Sequence, residues 1–402
     1  MKLPAASSGV LKHIIKRRAN MAQKDYYENL CKFYEMMLGS IPDRDNFKEA
    51  LQQTVTSEDI KIFFKIPLSG YIPFSKLLKK SKIPGEELRK RLNNLASEGF
   101  VSEFKADKED AYERGNPIFM SEQQVRKSQD SPQRRTYAKF FNTLINGDTR
   151  GDALATKTPY YRVLPAEQTI SVPSELRTID IDVTLPSPGE VLPIDIITEM
   201  IKKDGTLIGI AECFCRKTKR LVGEGCEYPL ETCFAFNELA QTLIKHGFAR
   251  EIDYEEAIRI LKDCEEKGLV HNVDNCSKDI RSLCNCCPCC CIILKSAING
   301  ETNAVAPSRY IVRFDAEKCE NCDLCISRCP TGARISGENR VEVDLGKCIG
   351  CGLCVTACPN GANTMVLREK PQKIPSSRGK LYDKLGKEAR LSIIKKKIFG
   401  KK

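Results

Sequence analysis

Apolar positions in the first quarter of the chain recur at helical spacing and then give way to alternation. Between Lys24 and Leu38, residues Tyr27, Leu30, Cys31, Tyr34 and Leu38 share one face, which predicts an amphipathic helix. Cys31 on that face reads as a core residue, because a lone buried thiol behaves as a small hydrophobe. Thr56-Ser57-Glu58 opens a helix through Phe64, Pro73 to Lys80 makes a second, and Ile83-Pro84-Gly85 forms a turn. A third helix, Glu86 to Ser97, carries Leu88, Leu92 and Leu95 and is closed by Gly99. Phe100 to Phe104 alternates as a strand, and Pro117 to Met120 supplies the expected returning strand.

The pattern then loosens. Ser121 to Arg135 is polar without a period and reads as a linker or an exposed helix start, whereas Thr136 to Ile145 offers Ala138, Phe141 and Leu144 as an apolar face. From Tyr160 to Pro193 short apolar runs, such as Tyr161 to Leu164 and Ile179 to Val183, alternate with Pro and Gly and predict loops and short strands. Pro186 to Pro193 is a connector into a helix from Ile194 to Lys203. Leu207 to Ala211 reads as a strand, Phe236 to Gly247 as a helix, and Asp253 with Glu256 as the cap of another helix ending near Gly268.

The order helix, helix, turn, helix, strand over residues 56–120 resembles a winged helix-turn-helix. That resemblance makes Glu86–Ser97 the recognition helix, offering Arg89, Lys90 and Arg91, with Lys79, Lys80 and Lys82 nearby. Nucleic-acid binding is the disfavoured reading. Glu86, Glu87 and Glu98 dilute the charge, and a true binder is expected to carry a basic stripe.

Cysteine changes the picture. Of 21 cysteines, all but Cys31 lie after residue 210. Twelve fall between 213 and 291. Cys213 and Cys215 follow the Leu207–Ala211 strand and precede Arg216, and Cys226 and Cys233 come next. Cys284, Cys286, Cys287, Cys289, Cys290 and Cys291 crowd into eight residues. Cys264 falls within a helical pattern and reads as core. Cys276 is assigned to neither group, and for the other ten burial as hydrophobes is a poor account. They are expected to join into an additional Fe–S site, with zinc or a dithiol redox centre as alternatives, since soft thiolates select Fe–S, Zn or Cu(I). A cation such as Arg216 would help balance a thiolate site.

Beyond residue 310 a repeat appears. Cys319, Cys322, Cys325 and Cys329 precede Pro330, and Cys348, Cys351, Cys354 and Cys358 precede Pro359, both as C-x-x-C-x-x-C-x-x-x-C-P. Phe314-Asp315 and Lys318 return as Val343-Asp344 and Lys347, and Thr331-Gly332-Ala333 as Asn360-Gly361-Ala362. Zinc sites rarely use four such thiols without a spacer, and a disulfide framework does not suit a chain without an export signal. The segment Phe314 to Arg368 resembles a bacterial two-cluster ferredoxin. The resemblance implies two 4Fe–4S clusters in which the fourth cysteine of each run ligates the other cluster. Cys319, Cys322, Cys325 and Cys358 would hold one, and Cys348, Cys351, Cys354 and Cys329 the second. Gly350 and Gly352 would let the second loop turn closely.

The remaining features set limits. With 41% hydrophobic and 29% charged residues the chain is globular in composition. Met1 to Arg18 lacks a sustained apolar run, and no stretch approaches the length of a membrane span, so a cytoplasmic protein is expected. The net charge of +11 belongs to the tail: from Arg368 onward thirteen Lys/Arg face three acidic residues, a local balance of +10. Leu381, Leu385, Ala389, Ile393 and Ile394 mark an amphipathic face there, suited to an anionic membrane, nucleic acid or an acidic partner. Neither G-x-G-x-x-G nor G-x-x-x-x-G-K-[ST] occurs.

The expected fold is thus α+β and multidomain. It comprises a helical segment (1–55), a winged-helix-like module (56–120), an irregular linker (121–192), a Cys-rich α/β middle domain (193–300), a two-cluster ferredoxin domain (305–368) and a basic tail (369–402). The whole resembles the ferredoxin-domain proteins of anaerobes. That likeness implies electron transfer with a partner oxidoreductase, and the alternatives are a redox-sensing regulator or an oxidoreductase subunit.

Overall fold

The computed structural model describes residues 25–38, 41–68, 70–106, 108–115, 117–127, 130–146, 156–170, 195–202, 206–299, 305–338 and 340–399. The chain divides into two compact units, Met1–Pro117 and Ile118–Lys402. The expected strand at Ile179–Val183 and the connector Pro186–Pro193 lie outside the described residues.

In the first unit, α1 (Tyr26–Leu38), α2 (Arg44–Thr54), α3 (Ser57–Phe63), α4 (Phe74–Ser81) and α5 (Gly85–Ser97) surround a core that includes Leu30, Tyr34, Phe47, Ile60, Leu92 and Phe100. Cys31 is buried in it, as its position on the apolar face predicts, and burial pushes its thiol up to about 11. Thr56 caps α3 in a reciprocal box with Asp59, and Asp59 also accepts from Asn94 Nδ2 at 2.9 Å, which fastens α3 to α5. A three-stranded antiparallel sheet closes the unit. It consists of β1 (Tyr71–Pro73), β2 (Val101–Ala106) and β3 (Glu109–Arg114), in the order β1-β3-β2.

Two expectations change here. The strand that returns beside β2 is β3, not Pro117–Met120. Its sequence Glu-Asp-Ala-Tyr-Glu-Arg hides a strand because only Ala111 and Tyr112 are buried. Pro117 instead begins α6 (Pro117–Arg126), where a missing N–H at the first helical position costs nothing. The stretch 121–135 is accordingly no linker, since Ser121, Gln123, Gln124 and Arg126 are buried.

The second unit is built on a seven-stranded sheet in the order β10-β4-β8-β9-β6-β5-β7. Its strands are β4 (Tyr161–Val163), β5 (Ile208–Glu212), β6 (Glu231–Phe236), β7 (Arg250–Ile252), β8 (Val270–Asp274), β9 (Ser282–Cys286) and β10 (Val305–Ala306). Only β10 and β4 run parallel. The sheet therefore takes β4 from the expected linker and β10 from the expected ferredoxin segment. One face carries Ile208, Ile210, Phe234, Phe236, Val273 and Leu283 against Ala257 and Leu261 of α11 (Tyr254–Glu266). As predicted, Asp253 caps α11, accepting from Glu256 N at 2.7 Å. On the other side α7 (Pro132–Asn146) reaches α9 (Phe214–Leu221), with Phe141 edge-on to Phe214 at 5.1 Å, while α8 (Ile197–Ile201) precedes β5 and α10 (Asn237–Lys245) follows β6.

Around the cysteine repeat, β11 (Tyr310–Phe314) pairs antiparallel with β14 (Asn363–Leu367), and β12 (Arg334–Ser336) with β13 (Val341–Val343). Each pair joins the start of one repeat to the end of the other. The short helices α13 (Leu324–Arg328) and α14 (Leu353–Thr356) lie between. The basic tail forms α15 (Arg378–Phe399). Its Leu381 and Leu385 are buried with Cys276, and Thr158 N donates to Glu388 at 2.8 Å, so these two apolar positions serve packing within the unit. No helix among the described residues is long and apolar enough to cross a membrane.

Arg44 ties α2 to α1, donating to Glu35 at 2.7 Å and to both oxygens of Glu28 at 2.7 and 3.0 Å. This hydrogen bonding holds the Glu28 carboxyl at about 2. Because the folded value is depressed, the pair's stabilisation is present above the ordinary value of 4.5 and is lost as pH falls through about 2. Arg44→Ala is expected to cost about 1 kcal/mol in urea unfolding at neutral pH and to flatten this part of the acid dependence.

Candidate metal centres

The repeat delivers its cysteines to two hollows. Cys319, Cys322, Cys325 and Cys358 line one, with about 320 Å³ of space between side chains, part of it open to solvent. Cys329, Cys348, Cys351 and Cys354 line the other, with about 340 Å³. The fourth cysteine of each run thus sits across from its own three.

The two cradles differ in surroundings, and the backbone shows why. Gly350 and Gly352 adopt φ of 69° and 79°. A Cβ on Gly350 would collide with the Tyr310 carbonyl oxygen and the Ser308 hydroxyl, and one on Gly352 would stand 2.6 Å from Thr169 Oγ1. The equivalent positions of the first loop, Asn321 and Asp323, take the same left-handed turns at 53° and 57°, yet both are exposed, as are Cys322 and Leu324. The second loop is packed into the unit and the first faces solvent. Burial accordingly raises the Cys351 thiol above its ordinary range and the Cys354 thiol to about 11, so these cysteines become ligands only where a cation's charge reverses that cost.

Arg334 was not anticipated. It is buried, its Nη2 donates to Asn363 and lies 4.0 Å from Cys354 Sγ, and its guanidinium sits 5.1 Å over the Phe314 ring. Its Nε and Nη1 have no protein partner. The repeat held the clue, since Arg334 occupies the place of Asn363 in the second copy, where the two copies otherwise match.

The ten remaining cysteines of interest lie in two groupings, each drawing on both sequence sets. Cys226, Cys287, Cys289 and Cys290 bring their Sγ atoms within 4.8 Å of one another, with Cys290 and Cys226 at 3.5 Å. A tetrahedral ion with bonds of about 2.3 Å needs thiolates about 3.8 Å apart, a spacing inside that 4.8 Å limit. The Cys287 thiol is lowered to about 6 by hydrogen bonding from Cys290 and by the Arg216 charge. Cys264 packs against this group from α11, and burial pushes it up to about 12, in keeping with a core role.

The other six come from three places. Cys213 and Cys215 stand at the start of α9, and Cys233 on β6 lies opposite Cys284 on β9. Cys286 ends β9, and Cys291 caps α12 (Ile292–Ile298), accepting from Leu294 N at 3.5 Å. Arg216 is fully buried, donating to Thr232 and, at 3.1 Å, to the Asn285 carbonyl oxygen. Arg126, also buried, pairs with Glu122 at 2.7 Å and donates to the Glu212 carbonyl oxygen at 2.8 Å.

In the first unit, two of the three basic residues of α5 are engaged internally. Arg89 meets Asp110 at 3.0 Å and covers Phe74 at 3.9 Å, and Arg91 meets Glu87 at 2.7 Å and Asp59 at 3.4 Å.

A protein-family model described as a 4Fe-4S dicluster domain matches residues 311–359. No curated protein and no solved structure matches the chain. Near its C-terminus the protein carries a ferredoxin-type iron–sulfur domain, which supports an iron–sulfur electron-transfer role.

Gly350→Ala is expected to destabilise the second unit by about 2 kcal/mol or more in thermal unfolding and to lower bound iron, since both the left-handed turn and the close approach are lost. Asn321→Gly, in the exposed equivalent turn, should stay within about 0.5 kcal/mol and keep its iron.

Proposed function

We propose that the chain is an electron-transfer protein holding two 4Fe–4S clusters, which exchanges low-potential electrons with a partner oxidoreductase. Each cluster, when bound, supplies a reversible one-electron couple whose potential depends on burial, charge and hydrogen bonds to sulfur. The observation that carries the reading is the crossing of the fourth cysteine: Cys358 completes the hollow of Cys319, Cys322 and Cys325, and Cys329 that of Cys348, Cys351 and Cys354. The solvent-facing first loop, with Leu324 47% exposed beside Glu320 and Asp323, is the face a redox partner would meet. The second loop is packed more deeply, with Ile349, Gly350, Gly352 and Leu353 buried, and the Arg334 guanidinium lies beside Cys354.

The four thiols Cys226, Cys287, Cys289 and Cys290 fit a single tetrahedral ion, and zinc is the expected occupant. The winged-helix-like arrangement of the first unit serves docking rather than nucleic-acid reading, because Arg89 and Arg91 already have partners. A gel shift with genomic DNA should show no complex with oxidised or reduced protein.

Cys322→Ser and Cys358→Ser should each remove about four irons per chain and spare the same cluster, and Cys329→Ser the other. If Cys358→Ser instead behaved like Cys351→Ser, the crossed ligation would be wrong. Arg334→Gln takes a buried positive charge away from the sulfurs. The reduced, more negative state loses stabilisation, so the midpoint potential should fall by some tens of millivolts, about 59 mV per 1.4 kcal/mol for one electron. Redox titration followed by electron paramagnetic resonance reads the shift.

A further inference from the structure

The six cysteines left over by the ferredoxin cradles and the four-thiol site form a closed circuit. Cys213, Cys215 and Cys233 pack in one buried cluster with Cys284 against it, and Cys286 and Cys291 lie in the adjoining cluster, which Cys284 also packs against. Cys284 returns to Cys233, its register partner across β6 and β9. We propose that this ring binds a third metal centre, a polynuclear iron–sulfur cluster set inside the second unit. The inference deepens the electron-transfer reading and rests on it for the choice of iron.

Three observations carry it. The first is geometric. Ligands of one tetrahedral ion must all be mutual neighbours, as the thiols of Cys226, Cys287, Cys289 and Cys290 are. Among the described residues theirs is the one group with all ligand atoms within 4.8 Å, so no three ring thiols meet that condition. The six thiols instead span two adjoining packed clusters that meet at Cys284. That is the arrangement for enclosing several metal ions bridged by sulfide, and an all-thiol donor set is soft enough to select iron–sulfur chemistry.

The second observation is charge. Arg216 is 0% exposed, and its Nε and Nη1 have no partner in the protein. Burying a guanidinium with unpaired N–H groups is costly unless negative charge faces it. Cys213, Cys233 and Cys286 of the ring are among the groups whose negative charge acts on Arg216, and Cys233 and Cys213 act likewise on Arg126. Two buried arginines beside six thiols are what a thiolate-ligated, net negative cluster requires.

The third is position. Cys286 and Cys291 belong to one apolar cluster with Leu294, Ile349 and Leu353, and both Cys284 and Cys351 pack against it. The ring and the second ferredoxin cradle therefore share an apolar wall, and the carbonyl oxygen of Cys351 accepts from Ala166 N at 2.9 Å. A one-electron centre placed there would be reduced as its neighbour is oxidised across that wall.

The test is iron, acid-labile sulfide, zinc and copper per chain in the full-length protein purified under strict anaerobiosis, beside a Cys233→Ser/Cys284→Ser variant. Expected are about twelve or more irons in the unaltered chain and about eight in the variant, which keeps the resonance signals of the ferredoxin clusters. About eight irons in the unaltered chain, with no loss in the variant, overturns the proposal. So does copper or zinc in place of the additional iron, or recovery of the ring cysteines as disulfides by mass spectrometry of the anaerobic sample. Should the variant fail to fold, the count on the unaltered chain decides. A Cys322→Ser/Cys351→Ser variant separates the two readings. Iron that survives in it and is lost on ring substitution supports the ring even if the ferredoxin clusters fail.

Discussion

Gathering thiols into a protein interior sets two costs against each other. A buried thiol resists ionisation, yet a cysteine that is to hold metal must give up its proton, and crowded thiolates repel. The second unit meets this constraint by placing guanidinium groups inside the protein. Arg216 and Arg126 stand beside the middle cysteines, and Arg334 stands beside Cys354. None of the three fits an ordinary core, and Arg216 and Arg334 keep N–H groups without protein partners. The sheet is arranged to deliver the sulfurs: β6 and β9 set Cys233 against Cys284, and the turns after β5 and β9 bring in the rest.

The two halves of the cysteine repeat have diverged in what surrounds them. Where the backbone must take left-handed turns against neighbouring chain, only Gly350 and Gly352 fit. Where the same turns face water, Asn321 and Asp323 serve and leave polar, acidic groups at the surface. One copy presents an approachable edge and the other is built into the unit. A symmetric pair of loops thereby acquires an outside and an inside.

Much of this was legible in the sequence. The C-x-x-C-x-x-C-x-x-x-C-P runs marked both hollows, because metal ligation fixes spacing more tightly than packing does. The helices with clear apolar periodicity, α1, α3, α5 and α11, fall close to their expected bounds. The strands β3, β6 and β9 were hidden: charged residues mask β3, and cysteines interrupt the apolar alternation of β9. The partition of the middle cysteines was out of reach. Cys287, Cys289 and Cys290 pair with Cys226, while Cys286 and Cys291, immediately beside them in sequence, turn to the ring. Neighbouring thiols diverge because the chain leaves β9 at Cys286, turns, and starts α12 at Cys291, and spacing alone does not record that turn. The role of Arg126 depends on contacts between distant segments and was equally invisible, whereas Arg334 was marked only by its place in the repeat.

Anomalous diffraction at the iron absorption edge, from crystals grown without oxygen, tests the central claim most directly. The account predicts compact iron density between Cys319, Cys322, Cys325 and Cys358, and between Cys329, Cys348, Cys351 and Cys354, with a further iron centre inside the ring and none between Cys226, Cys287, Cys289 and Cys290. Iron absent from the two ferredoxin hollows in protein that retains its metal would contradict it.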